Sequence, residues 1–460
     1  MRTAAFIALR GLLGFSLLGS SVTAQDIPSS ENPQADSFPI DVVKLDEGSP
    51  SLPVQPYGPP DLSASIEVPP GVPRPLALGV ATALADYPSI RAGRLNEQAS
   101  EFEIEAAKGR RYPSVSLQGL SFAGGSSVAG NNLFAANLVV DQPIWSGGRI
   151  SAEIERARAA RAVSSAELVE TAEALAIQTI NAYYEAVLAA RRMDQLSQGN
   201  DALLELVASI ERRVAQQVSP TSELILVQSR QAEIERQFNL AQASFLSSRE
   251  IFRQLTGLYS YELTDLPEYD SRFSHPDRTS ALEQASQCNP AVARLNAEVR
   301  LAEATTELAE KQLYPQVSAQ FSQNEVTGAR VGLAVTAQLN NGLSQFSVIK
   351  ASGVRALEAG AQADAAARDS RLRLTTDLLL NYSTKVQIPI AIRSVKAAQD
   401  VTASYQRQFI AGRKSWLEVV NAVREEITAD LSLVDAETTA MASAARLLIY
   451  TCRWTSAIGG

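Results

Sequence analysis

The chain has 460 residues, 45% of them hydrophobic, and a formal charge of −9. An acidic balance argues against nucleic acid as a partner, since nucleic acid selects basic surfaces. With one histidine, His275, and two cysteines, the chain offers no His/Cys cluster at metal-ligand spacing. A Ser-His-Asp arrangement would rest on that single histidine, so neither catalysis, a metal nor a cofactor is expected.

The first residues, Met1-Arg2, precede an apolar stretch from Phe6 to Leu18 and small residues at Val22 and Ala24. This is the pattern of a secretory signal, expected over 1–24. Residues 26–75 hold twelve of the 21 prolines, so 25–75 is read as an extended leader in which neither helix nor central strand persists. No later run reaches the ~20 apolar residues of a membrane-spanning helix. If the mature chain enters a bilayer, it must do so as a closed barrel.

Beyond the leader the chain repeats itself, with a first unit expected over 76–270 and a second over 271–460. Tyr87-Pro88 opens a helical stretch that ends at Tyr112-Pro113-Ser114-Val115-Ser116-Leu117-Gln118. Asn289-Pro290 opens another that ends at Tyr314-Pro315-Gln316-Val317-Ser318-Ala319-Gln320, with the same distance between prolines. After each Tyr-Pro the period switches from helical to alternating. Strands are expected at about 114–122 and 133–142, then at about 315–325 and 330–339. Each pair runs through a glycine turn into long helical sequence, expected at about 149–218 and 222–256, then 344–409 and 415–452. The far reversals are Ser219-Pro220-Thr221, where Pro220 suits a first helical turn, and Ala411-Gly412-Arg413-Lys414-Ser415, where Gly412 and Ser415 suit caps. In the last helix Leu417, Val420, Ile427, Leu431, Val434, Met441, Ala445 and Leu448 form a heptad seam interrupted by Arg424 and Thr438.

Strands of about ten residues match a transmembrane barrel, yet four cannot close one. Two chains would supply eight strands and three chains twelve. Tyr112, Trp145 and Tyr314 stand at the helix-strand junctions, as interfacial aromatics do. In an oxidising compartment Cys288 and Cys452 permit one disulfide, with two buried thiols as the alternative. The fold class expected is therefore mainly α with a β-barrel part, the long antiparallel helices forming coiled coils. A coiled-coil scaffold or adhesin without a pore would explain the helices but not the matched hairpins.

The order of elements, the duplicated Tyr-Pro junction, Gln142-Pro143-Ile144-Trp145-Ser146-Gly147-Gly148, and Phe409-Ile410-Ala411-Gly412 followed by Leu417-Glu418-Val419-Val420-Asn421 resemble the TolC family of outer-membrane efflux and secretion channels over roughly 76–455. The resemblance implies a homotrimer with a twelve-stranded barrel in the outer membrane and a helical tunnel in the periplasm. It implies conduction of substrates from an inner-membrane ABC or proton-driven transporter with its periplasmic adaptor, in type I protein secretion or efflux. It places Phe409, Gly412, Lys414, Glu418 and Asn421 at the periplasmic aperture, with Glu418 as the acid of a cation-favouring ring. Ser219, Pro220, Thr221, Gly412 and Arg413 would form the adaptor-docking turns. The first turn departs from the Val-Gly-Leu type tip of drug-efflux members, which leaves protein secretion open.

Overall fold

The protein is described here by a computed structural model covering residues 68–121, 134–259, 263, 266–271, 278–324, 328–337 and 344–454. The expected signal, most of the leader, the loop at 124–132, the turn at 340–342 and His275 lie outside the described residues.

Two copies of one unit follow each other. The first contains α1 (Arg74–Asp86), α2 (Pro88–Gly109), β1 (Ser114–Ser121), β2 (Phe134–Trp145), α3 (Arg149–Ala215) and α4 (Thr221–Thr256). The second contains α5 (Arg278–Cys288), α6 (Pro290–Lys311), β3 (Gln316–Asn324), β4 (Gly328–Thr336), α7 (Ser344–Ile410) and α8 (Trp416–Tyr450). α2 and α6 are both 22 residues long, and α3 and α7 both 67. At ~1.5 Å per residue the long pair reaches about 100 Å. No described helix is long and apolar enough to cross a membrane.

Local chemistry sets the boundaries. Pro88 and Pro290 stand at the first helical position, where a missing N–H costs nothing. Asn289 caps α6 by accepting from the Val292 amide at 2.9 Å. The same rule moves the leader boundary: α1 begins at Arg74, after Pro73 and with Pro75 in its first turn, where the proline-rich composition suggested no helix before 76. Val68 and Val72 already pack into the main core with Leu76, Val80, Tyr183, Phe252, Ile449 and Trp454, which joins the start of the described chain to both units.

α8 departs from the expected heptad seam. Val420, Ile427, Val434 and Ala445 are buried, but Leu417 is exposed and Val419, Val423, Ala440, Leu447 and Ile449 are buried off the seam. The reason is that α8 packs against both α7 and α3, so two stripes are covered rather than one. Of the two polar interruptions, Arg424 is exposed and Thr438 is buried.

The strands form one antiparallel sheet in the order β1-β2-β3-β4. Its centre, the β2–β3 pairing, joins the two units. β1 and β4 remain as open edges among the described residues. Register separates the faces. Val115 and Leu117 sit across from Val140 and Leu138, Val140 across from Phe321, and Phe321, Ala319 and Val317 across from Val331, Leu333 and Val335. The opposite face carries Ser114, Ser116, Gln118, Asn137, Asp141, Ser318, Gln320, Ser322 and Arg330. Val331 is 82% exposed and Leu117 74%, so the apolar face has no cover among the described residues.

Candidate functional site

At the sheet end of the helices stand three aromatics. Tyr112 and Tyr314 precede β1 and β3, and Trp145 ends β2 opposite Val317; the register puts all three at the same end of the sheet. Each is at least half exposed. The alternation suggested that β2 stops at 142, but it continues to Trp145 through a bulge at Pro143. Without that extra residue Trp145 would fall on the polar face; the bulge returns it to the apolar one. Gly147 and Gly148 then turn the chain with φ of +60° and +85°. A Cβ on Gly147 would overlap Tyr314, so the first unit's exit is fitted to the second unit's entry.

At the far end the two reversals are one turn built twice. After α3, the amides of Val218 and Ser219 both donate to the Arg213 carbonyl, at 2.8 and 3.3 Å. After α7, the amides of Arg413 and Lys414 donate to the Gln408 carbonyl at the same two distances. Gly412 takes φ of +70° in the second turn, and Gln217 takes +59° in the first. A non-glycine residue in that region is uncommon. In backbone the first turn therefore repeats the second, although its sequence, Ser219-Pro220-Thr221, differs. Pro220 is the N-cap before Thr221 and offers no side-chain cap, rather than standing in the first helical turn.

The second turn has the stronger cap. The Ser415 hydroxyl accepts from the Glu418 amide at 3.3 Å, while Glu418 Oε2 accepts from the Ser415 amide at 3.0 Å, a full capping box. Glu418 Oε1 accepts from Lys414 Nζ at 2.5 Å, and that ammonium lies 4.3 Å from the Tyr405 ring centroid. The Lys414 hydrogen bond, followed by those from Ser415, holds the Glu418 carboxyl at about 2. The same pair raises Lys414. Glu418 is thus an ionised helix cap whose charge is matched locally. Asn421 and Arg413 are exposed.

Phe409 is buried among Ile210, Val227, Val419, Val420 and Val423, and the Arg213 guanidinium carbon lies 5.4 Å from its ring centroid. The two turns therefore touch: Arg213 belongs to the first and Phe409 to the second. The sequence reading named neither Arg213 nor Tyr405. Arg213 had a usable signal, because it and Gln408 occupy equivalent places before duplicated turns.

Between these ends, Cys288 and Cys452 are disulfide-bonded, with Cα atoms 6.4 Å apart. The bridge fastens the α5–α6 junction to the end of α8. Nearby, Arg446 on α8 donates to Asp377 on α7 at 2.8 and 3.2 Å and to Asn181 on α3 at 3.1 Å. Glu173 lies in a cavity of about 470 Å³ shared with Glu170, Arg294, Asp369, Arg373 and Tyr450. Burial, then the Glu170 charge, pushes its carboxyl up to about 7, against an opposing pull from Arg373.

A family model described as outer membrane efflux protein matches residues 80–258. Among solved structures, the outer membrane protein VceC from Vibrio cholerae aligns with a TM-score of 0.71 at 15% identity over 82% of this chain and 96% of that one. The outer-membrane channel OprN gives 0.72 at 16% identity, over 82% and 89%. The Campylobacter jejuni CmeC outer membrane channel gives 0.70 at 13% identity, over 82% and 85%. No curated protein matches the sequence.

Proposed function

We propose that this chain, whose residues 80–258 match the family model of outer membrane efflux proteins, joins in three copies into one conduit through the outer membrane, continued by the long helices in the periplasm. The single observation that carries this reading is the sheet: among the described residues it has four strands, one apolar face without cover, one polar face and two open edges. In hydrocarbon an unpaired strand edge leaves every second backbone group unsatisfied, at several kcal/mol each. Pairing β1 of one copy with β4 of the next removes all edges, and three copies give twelve strands. The apolar face then meets lipid, the polar face lines water, and Tyr112, Trp145 and Tyr314 form the aromatic girdle at one rim.

Members of the family are homotrimeric channels that work with adaptors and inner-membrane pumps. For this chain the far turns, with Ser219, Pro220, Thr221, Gly412 and Arg413 at the tip, are the surfaces proposed to meet an adaptor. Lys414, Glu418 and Asn421 are proposed to border the aperture, with Phe409 buried behind them. What supports the assignment is their place at the end opposite the sheet, with Val218 and Ile410 more than 60% exposed beside them. The cap chemistry changes Glu418's role: its charge is matched by Lys414, which leaves little net field for an acidic ring. A conduit of this kind has no substrate pocket, so the docked transporter sets the cargo, by efflux or by protein secretion.

The test is electrical. Detergent-extracted protein added to planar bilayers should give discrete conductance steps. Oligomers that insert and never conduct would leave the exported scaffold as the reading.

A further inference from the structure

Of the described strand residues only Asp141 and Arg330 carry charge, and both lie on the polar face of the sheet. Their surroundings differ. Asp141 pairs with Ser114 at the helix end of the sheet and accepts from the Ser318 hydroxyl at 2.8 Å; two residues before Ser318 on β3, Gln316 accepts from Arg149. Arg330 sits near the start of β4, across from Ser322 and far from the junctions. It is exposed, and the described residues give it no hydrogen bond or ion pair. Every other polar group on that face, from Ser116 and Gln118 to Asn137, Gln320 and Ser322, is a neutral hydroxyl or amide.

We propose that Arg330, in three copies, is the charge-selecting ring of the outer half of the conduit and favours anionic solutes there. The inference rests on the trimeric barrel argued above. Twelve strands about 4.8 Å apart and tilted about 40° enclose a cylinder roughly 24 Å across, which leaves the three guanidinium groups about 8 Å from the axis. Three unit charges at that distance in water, screened over a Debye length of about 30 Å at about 10 mM salt, enrich a monovalent anion on the axis about seven-fold. With a Debye length of about 10 Å at about 0.1 M salt the enrichment falls to about three-fold, and at about 1 M it all but vanishes. An amide lining adds no bias of its own, so the ring dominates its stretch of the lumen.

The experiment is the reversal potential of wild type, Arg330→Gln and Arg330→Lys in planar bilayers under a KCl gradient. At about 10 mM salt Arg330→Gln should lower the anion-to-cation permeability ratio by up to about fifty-fold, the seven-fold anion enrichment times the matching cation depletion; Arg330→Lys should leave it near wild type, and the difference should disappear near 1 M. An unchanged reversal potential in a conducting Arg330→Gln channel, or a lysine variant that behaves like the glutamine one, overturns the ring and leaves the barrel standing. A wild-type protein that never conducts overturns the barrel itself. A wild-type measurement covers the case in which Arg330→Gln does not assemble. Tripolyphosphate added on the hairpin side should block at about 10 mM KCl and not at about 1 M. Absence of block at low salt also overturns the ring.

Discussion

The Arg446–Asp377 pair ties together α8, α7 and, through Asn181, α3. Its side chains are only 16% and 15% exposed, so both ions are largely out of water. Removing one partner strands the other: Arg446→Met leaves the Asp377 carboxylate desolvated without its fork of N–H donors, a loss of about 3–5 kcal/mol. Removing both at once, in Arg446→Met with Asp377→Leu, leaves no buried charge and fills the space, so the double change should fall within about 1 kcal/mol of wild type. Unfolding entropy of about 2 cal/mol/K per residue over the roughly 350 described residues turns a 4 kcal/mol loss into a Tm about 5 °C lower. The assay is thermal unfolding of the detergent-solubilised protein followed by circular dichroism at one scan rate. If the double variant instead falls by the sum of the two single losses, the effects are additive, the two residues are not coupled, and the pair does not hold these helices.

Three further outcomes follow from the same geometry. The bridge between Cys288 and Cys452 closes 164 residues, worth about 5 kcal/mol of unfolded-chain entropy; Cys288→Ser should lower the Tm, and the denatured wild type should migrate faster without reductant than with it. Equal migration would mean the thiols are free. Glu173 has a folded value near 7, raised from 4.5. The native state thus holds more protons than the unfolded one between those values, and stability falls as pH rises through that window, by about 3 kcal/mol in all. Glu173→Gln should flatten the profile between pH 5 and 8; a wild-type profile that is already flat refutes the burial argument. Glu418, lowered to about 2, contributes stability that is present above its unfolded 4.5 and is lost only as pH falls toward 2. Channel behaviour should therefore not change at the turn between pH 7 and pH 5, whereas Glu418→Ala, by freeing Lys414, should move selectivity away from cations. An unchanged reversal potential in Glu418→Ala removes the turn from the pore.

Much of this architecture was legible because duplication leaves two independent readings of each element. The alternation after Tyr112-Pro113 and Tyr314-Pro315 marked the hairpins, and proline-free alanine-rich sequence marked α3. What stayed hidden depends on tertiary partners. A two-sided stripe on α8 looks like a heptad seam with errors until α3 is known to cover its second face. The left-handed Gln217 has no glycine to announce it, so only the shared hydrogen-bond pattern exposes the first turn as a copy of the second. The bulge at Pro143 reverses Trp145 from one face to the other, and a proline in a strand signals an irregularity without its direction. Glu418 reads from the sequence as a pore acid and as a cap; the Ser-x-x-Glu spacing of Ser415 and Glu418 is the capping-box signature, and the structure shows that bond made.

The central claim is that the open edges β1 and β4 belong to one closed ring of three chains. Cysteines in place of Ser116 on β1 and Ala334 on β4, both on the polar face, test it most directly when detergent-extracted protein is treated with short bifunctional thiol reagents of graded length. Covalent dimers and trimers, with nothing larger, are the predicted ladder. Monomer alone at every length, or a ladder that runs past three, would contradict the account.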